Sequence, residues 1–176
     1  MNTKIVILSA LAACVLLASA PVFHPAPAMA QGTKVVKQFK AWTLYSHQGE
    51  PGDICFITSQ PRETQPAAVQ RDRAYFYVSS WRQDGIRSQI SVLLGYDLED
   101  QSPITVAIGN RKFQLFAKGD KAFVGDATQE LQLIDAIKRG NFMKIIGKTK
   151  QGTQTVDTYS LIGATAAVNA LTTGCL

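Results

Sequence analysis

The chain has few of the residues that usually carry catalysis or metal binding. Of its 176 residues, two are histidine and three are cysteine. His47 is the single histidine after residue 30, and neither a C-x-x-C pair nor a G-x-S-x-G turn occurs. Zinc sites, dithiol redox sites and serine-hydrolase sites need such groups at defined spacings. We therefore expect no catalytic residues, no metal and no cofactor, and a hydrolase would have to use His47 or dispersed carboxylates.

The sequence also lacks long runs of like charge and glycine-rich phosphate loops. The net charge is +5, from 18 Lys and Arg against 13 Asp and Glu, without any block of five like charges. Nucleic-acid-binding domains typically show a basic stripe with interleaved aromatic residues. Nucleotide-binding domains place a glycine-rich loop directly after a strand. The composition thus argues against both classes, and the mild positive charge is typical of a solvated surface.

Residues 1–30 have the pattern of an export signal. Lys4 precedes an apolar run from Ile5 to Ala20, and Ala28-Met29-Ala30 forms a small-x-small cleavage site. The run has 16 residues, which is short for a membrane-spanning helix. We expect cleavage between Ala30 and Gln31, leaving residues 31–176 as a single domain in the periplasm or secreted.

A lipoprotein signal is a second interpretation of the same segment. Leu11-Ala12-Ala13-Cys14 is similar to a lipobox, in which the cysteine is lipidated and becomes the new N-terminus. The apolar run continues through Val15, Leu16 and Leu17 instead of turning polar, so cleavage at Ala30 is preferred. Lipidation of Cys14 is the route by which the protein would associate with the outer membrane.

Cleavage at Ala30 leaves two cysteines, Cys55 and Cys175. Two cysteines in an oxidising compartment most simply form one disulfide. By chain entropy, closing so long a loop would stabilise the fold by about 4–5 kcal/mol. The alternative is a metal-binding or redox pair, which the spacing does not support.

Short segments rich in β-branched and aromatic residues predict a mostly β domain, because Gly, Pro, Asp and Asn separate them. Gly109-Asn110 and Gly119-Asp120 further predict a meander of three strands. The expected fold is an antiparallel β-sandwich or barrel-like domain of about nine short strands. These strands are expected near residues 41–47, 53–59, 74–81, 87–96, 104–108, 112–117, 121–124, 142–149 and 153–161.

Two segments instead have the features of helices. Asp126 and Gln129 resemble a capping box, and Gly140 follows the basic end of the same segment, which predicts a helix near 127–139. An alanine-rich segment predicts a second helix near 164–171, with Gly174 ending it just before Cys175.

Several side-chain clusters allow both a structural and a functional interpretation. Lys144, Lys148 and Lys150 alternate onto one face, which is expected to be solvated, with a heparin-like or lipid-headgroup site as the alternative. The segment 60–73 is expected to be an irregular loop. The acidic turn with Asp97, Glu99 and Asp100 is expected to be solvated, because it lacks the spacing of a calcium loop.

The aromatic residues of the predicted strands are expected to fill the core. A few of them could instead line a sugar- or peptide-binding groove. The residues concerned are Trp42, Tyr45, Phe56, Tyr75, Phe76, Tyr77 and Trp81.

Several segments also follow a known family pattern when they are taken in order. They are Phe39–Tyr45 (FKAWTLY), Ile54–Pro61 (ICFITSQP), Arg71–Tyr77 (RDRAYFY), Ser91–Tyr96 (SVLLGY), Phe113–Phe116 (FQLF), Asp157–Leu161 (DTYSL), Gly163–Ala167 (GATAA) and the terminal Cys175. Together they resemble the invasion-associated locus B family over nearly the whole of residues 31–176. Some members have a cysteine soon after the Trp-containing strand, and this chain has Ser46 at about that place.

The resemblance implies an exported, non-enzymatic protein of Gram-negative bacteria. In host-dwelling members the family is associated with adhesion to host cells such as erythrocytes and with their invasion, a virulence role. The family supplies no catalytic residues to carry over. The expected function is therefore surface-mediated binding to an unknown protein or to a host-surface or envelope component. The alternatives are a periplasmic hydrolase of unknown substrate and a lipid-anchored envelope component.

Overall fold

A computed structural model describes residues 32–49, 52–81, 83–99 and 102–174. Several predicted features lie outside these residues. They are the signal segment 1–30, the possible lipidation site Cys14, the cleavage site between Ala30 and Gln31, Asp100 of the acidic turn, and Cys175.

The described residues contain eleven strands and two helices. The strands are β1 (Gly32–Phe39), β2 (Trp42–Gln48), β3 (Ile54–Ser59), β4 (Glu63–Gln65), β5 (Tyr75–Trp81), β6 (Ile86–Leu93), β7 (Ile104–Ile108), β8 (Arg111–Lys118), β9 (Lys121–Val124), β10 (Phe142–Lys148) and β11 (Gln154–Ser160). The helices are α1 (Ala127–Arg139) and α2 (Ala164–Gly174).

All these strands form one antiparallel sheet in the order β1-β2-β3-β5-β6-β9-β8-β7-β10-β11-β4. The predicted meander is confirmed, since β7 pairs with β8 and β8 pairs with β9. The sheet has two ends, β1 and β4, so the fold is sandwich-like and not a closed barrel. The expected fold class is confirmed.

Two strands, β1 and β4, were not predicted from the sequence. Six of the eight residues of β1 are exposed, and β4 has only three residues, within the segment 60–73 that was expected to be irregular. Among the described strands, both pair on one side only, β1 with β2 and β4 with β11. An edge strand that buries little apolar surface lacks the hydrophobic alternation that identifies a strand in a sequence.

The inner face of the sheet forms the core. Alternate residues of each strand point to this face, among them Trp42, Ile57 and Phe76, which are fully buried. The sheet curls so that β2 and β5 meet β11 across the core. The Trp42 side chain donates from Nε1 to the Ser160 carbonyl at 3.0 Å, and the Phe76 ring meets the Tyr159 ring edge-on at 6.3 Å.

Both helices pack on this inner face, and both were predicted. The Asp126 side chain caps α1 by accepting a hydrogen bond from the Gln129 backbone N–H at 2.8 Å. Leu133 and Ile137 are the fully buried residues of α1, which packs on β6, β8 and β9. The second helix packs on β1, β2, β3 and β5, and it continues to Gly174, beyond the predicted end.

Candidate functional site

Most of the aromatic residues expected in the core lie on the outer face of the sheet. Trp42 and Phe76 are fully buried, as expected. Five others are only half-buried: Tyr45, Phe56, Tyr75, Tyr77 and Trp81. The expectation was wrong for these five because neighbouring strand residues point to opposite faces, so the segment Tyr75-Phe76-Tyr77 alternates outward, inward and outward.

Four of these outward residues contact one another across β2, β3 and β5. Tyr45 and Phe56 are register partners, and their rings stack at 5.1 Å with an interplanar angle of 11°. Phe56 lies 6.0 Å from Tyr77, and Tyr77 lies 5.7 Å from Tyr75. Burial, with smaller effects from Tyr75 and Tyr45, raises the pKa of Tyr77 above its usual value. The Tyr77 hydroxyl is therefore uncharged at neutral pH.

The aromatic surface continues onto β9 and β8. Tyr77 pairs with Ser91 of β6, and Ser91 pairs with Phe123 of β9. Phe123 pairs with Phe116 of β8, and their ring centroids lie 5.9 Å apart. We call this set the outer aromatic row: Tyr45, Phe56, Tyr75, Tyr77, Phe123 and Phe116. It crosses six adjacent strands, with Ser91 as the polar residue between its two parts.

The row ends at a gap in the sheet that α1 fills. The strand β9 has four residues, whereas its neighbours β6 and β8 have eight each. Where β9 does not reach, two side chains of α1 accept hydrogen bonds from backbone N–H groups of β6 and β8. Gln129 accepts from the Gln114 backbone N–H at 3.1 Å, and Glu130 accepts through Oε1 from the Ile90 backbone N–H at 2.5 Å.

A surface cavity of about 380 Å³ lies at this gap, and we call it the β9 cavity. The exposed ring of Phe116 and the ring of Phe123 line it together with Gln89, Lys118 and Glu130. Burial is the main cause that raises the pKa of the Glu130 carboxyl, and the Ile90 N–H acts in the opposite direction. The cavity therefore joins an apolar wall to a carboxylate, an amide and an ammonium group.

A buried ion pair was missed in the sequence. Arg71, in the segment 60–73, contacts Asp157 of β11 through two hydrogen bonds of 2.8 and 2.5 Å. Their side chains are 8% and 1% exposed. Burial raises the pKa of the Asp157 carboxyl, and the Arg71 guanidinium lowers it. The pair ties this segment to β11. Because water barely reaches the two side chains, they do not present a charge to a ligand.

Tyr159 lies near this pair, in the core. Its side chain is fully buried, and its hydroxyl has no hydrogen-bond partner among the described residues. Burial raises the pKa of the Tyr159 hydroxyl far above its usual value. The side chain is thus a neutral part of the core.

The lysines of β10 lie on the outer face. Lys144 and Lys148 are exposed, as the alternation predicted, while Met143 and Ile145 are buried. Lys148 pairs with Glu99 of the acidic turn at 3.1 Å. Lys144 lines a shallow groove with Arg62 and Phe142, whose ring lies 5.3 Å from the Arg62 guanidinium.

The remaining candidate residues are placed as follows. His47 lies on β2, where its Nδ1 is 3.0 Å from Thr33 Oγ1 of β1. Within the described ranges, no group of three or more His, Cys, Asp and Glu side chains is placed to hold a metal ion. The described part of the chain likewise contains no helix that is long and apolar enough to span a membrane.

Cys55 lies on the inner face of β3 and is buried. The helix α2, which ends at Gly174, packs on β3. Cys175 follows that residue directly in the sequence and lies outside the described residues. The disulfide between Cys55 and Cys175 therefore stays a prediction.

Comparison with known proteins gives one finding. The model of a protein family, described as Invasion associated locus B (IalB) protein, matches residues 42–172. The match runs from the start of β2 into the last turn of α2, so it includes every residue of the outer aromatic row and of the β9 cavity. Neither the curated proteins nor the solved structures contain a match.

Proposed function

The chain belongs to the invasion associated locus B family, and from this we propose that it is an exported, non-enzymatic protein that binds a host or envelope surface through its outer aromatic row. The leader of residues 1–30 supports export to the periplasm or beyond. The family resemblance supports adhesion to host cells as the context.

The outer aromatic row is the observation that carries this proposal. The solvent face of an antiparallel sheet is normally polar, yet here six aromatic side chains follow one another across neighbouring strands. Phe116 is 50% exposed, and the other five are half-buried. Aromatic residues are enriched at protein interfaces, because they provide large contact areas. A contiguous apolar patch on a soluble domain is typical of an interaction surface.

The placement of the titratable groups supports binding over hydrolysis. A hydrolase needs a base and a second catalytic group within hydrogen-bond reach of one another. His47 is on the outer side of β2 next to β1, whereas Asp157 is buried on the inner side of β11 against Arg71. The two side chains thus lie on opposite sides of the sheet and do not form a catalytic pair with one another.

Cell binding tests the proposal. Fluorescently labelled exported protein would be incubated with erythrocytes and the bound fraction measured by flow cytometry. We expect saturable binding by the wild type. The triple variant Tyr45→Thr, Phe56→Thr, Tyr77→Thr should bind at least about tenfold more weakly, since each aromatic contact contributes about 0.5–1.5 kcal/mol. Threonine is chosen because it suits strands.

The matched control is Ile162→Thr, which removes an apolar side chain that is 58% exposed outside the row. This variant should bind as the wild type does. Thermal unfolding of all three proteins establishes that the triple variant is folded. Wild-type binding no stronger than that of an unrelated exported protein would contradict the proposal, and so would full binding by a folded triple variant.

A further inference from the structure

The β9 cavity lies where the outer aromatic row reaches α1. Its position follows from the shortness of β9, which does not extend far enough to pair with Gln114 of β8 or with Ile90 of β6. The side chains of Gln129 and Glu130 instead accept hydrogen bonds from the backbone N–H groups of Gln114 and Ile90. The side chains around the cavity are thus held by three strands, β6, β8 and β9, and by α1, so the cavity is preformed.

One wall of the cavity is apolar. Phe116 and Phe123 present neighbouring rings whose planes differ by 33°. Because half of the Phe116 side chain is exposed, a ligand can pack on it without displacing another part of the described chain. Such a wall suits a compact ligand with a C–H surface.

The opposite side of the cavity presents one acceptor and one donor. Glu130 uses Oε1 to accept from the Ile90 N–H, and a carboxylate has further lone pairs on its second oxygen. Gln89 accepts through Oε1 from Trp81 Nε1 at 3.3 Å. Its amide NH₂ group therefore points away from Trp81 and can donate a hydrogen bond. An acceptor and a donor beside an apolar wall match a ring that carries C–H groups on its face and hydroxyls on its rim.

Charge favours a neutral ligand. The lining includes the carboxylates of Glu130 and Asp126 and the ammonium of Lys118. The cap bond of Asp126 uses one of its two oxygens, and Lys118 offsets the charge of one of the two carboxylates. A ligand of high charge of either sign would therefore meet a like charge in the cavity.

We propose that the β9 cavity and the adjoining rings of the outer aromatic row bind an oligosaccharide. This inference rests on the proposed function and names the chemical class of the surface that the protein binds. The sugar face would pack on Phe116 and Phe123, and its hydroxyls would bond to Glu130 and Gln89. Neighbouring strands lie about 4.8 Å apart, so the row from β9 to β5 offers contacts to further sugar units.

An array of immobilised oligosaccharides tests this inference. It would carry neutral, sialylated and sulfated glycans and be probed with the exported protein, followed by titration calorimetry on the best neutral glycan. We expect binding to a neutral class. Phe116→Ala and Glu130→Gln should each weaken it about tenfold, and 0.5 M salt should change it less than twofold.

The Glu130→Gln variant keeps the acceptor for the Ile90 N–H and replaces the second acceptor by a donor, so its loss of binding would not come from unfolding. Leu131→Ala is the control, because Leu131 is 64% exposed on α1 and does not line the cavity. Undiminished binding by Phe116→Ala, a complete absence of glycan binding, or loss of binding in 0.5 M salt would overturn the inference.

Erythrocytes treated with glycosidases separate this inference from the proposed function. Equal binding to treated and untreated cells would reject the oligosaccharide and leave the surface-binding function in place. Glycan binding on the array without binding to any cell would reject the host-cell function and leave the sugar site in place. Loss of cell binding after treatment supports both.

Discussion

At the scale of single residues, the ion pair between Arg71 and Asp157 is the one salt bridge of the described residues in which both side chains are buried. Burying two charges costs several kcal/mol, and the cost is offset only where the geometry is good. Here both carboxylate oxygens are bonded, and the guanidinium also lies 5.7 Å from the Tyr96 ring. Removing one partner leaves the other charge buried without compensation.

We predict that Arg71→Met lowers the free energy of unfolding by about 3–5 kcal/mol, because it leaves the Asp157 carboxylate unpaired. Urea unfolding followed by tryptophan fluorescence measures the change. Arg62→Met is the control, since Arg62 is exposed and its replacement should cost little. Similar losses in the two variants would contradict the prediction.

The Glu130 carboxyl should make stability depend on pH. Its pKa is raised in the folded state by burial, so the folded protein keeps this proton to higher pH than the unfolded chain. The free energy of unfolding therefore falls as the pH rises from about 4.3, the unfolded value, through the raised pKa. We predict a smaller fall in Glu130→Gln, measured by urea unfolding at pH 4, 5, 6 and 7.

The Asp157 carboxyl also makes the free energy of unfolding fall as the pH rises, because its pKa is raised in the folded state. This contribution is the same in the wild type and in Glu130→Gln. The comparison of wild type with variant removes that contribution. Asp126 and Lys118, which line the same cavity, are likewise present in both. Parallel pH curves would show that the Glu130 carboxyl titrates alike in the folded and unfolded states.

Local residue patterns predicted some of these sites and missed others. The cap at Asp126 was predicted because its partner Gln129 lies three residues away. The contact from Arg71 to Asp157 joins residues 86 positions apart, and no local pattern marks such a pair. Trp42 and Tyr45 are both aromatic strand residues, and only the pairing of the strands decides which of them faces the core.

At the scale of the elements, burial explains which strands were predicted. The inner strands are rich in β-branched and aromatic residues, so their existence and approximate bounds follow from the sequence. The two strands at the ends of the sheet bury little apolar surface, one of them has only three residues, and both were missed. The helices were predicted well because capping and helical spacing are local signals.

The contact of α2 with β3 supports a further prediction. If Cys55 and Cys175 are bonded, the denatured exported protein should react with iodoacetamide at no cysteine until a reductant is added, as measured by intact mass. The double variant Cys55→Ser, Cys175→Ser should lose up to about 4–5 kcal/mol of unfolding free energy, because the crosslink restricts the unfolded chain. Two modified cysteines without reductant would contradict the bond.

At the scale of the whole molecule, one sheet provides both the core and the candidate site. Its inner face holds the buried residues, and its outer face carries the aromatic row. The row could not be predicted from the sequence, because it joins β2, β3, β5, β6, β9 and β8 through pairings such as Ser91 with Phe123. The order of these strands in the sheet differs from their order in the chain.

The mature N-terminus is a prediction at the same scale. Intact-mass measurement of the protein recovered from the periplasm should give a chain that starts at Gln31, because Ala28-Met29-Ala30 precedes the cleavage bond. Replacing Ala30 by a bulky residue should slow processing, and Cys14→Ser should have no effect. A mass that includes a diacylglycerol on Cys14 would instead establish a lipid-anchored protein.

The exposed edge at β1 affects how the protein behaves in concentrated solution. An uncovered strand is a template onto which other chains add and grow into fibrils. In β1 the register shifts between Val35 and Lys37, and the exposed Lys34 and Lys37 flank the two valines. A kinked strand with repelling charges accepts a neighbour poorly. The protein is thereby protected against edge-to-edge aggregation at the place where its valines are most accessible.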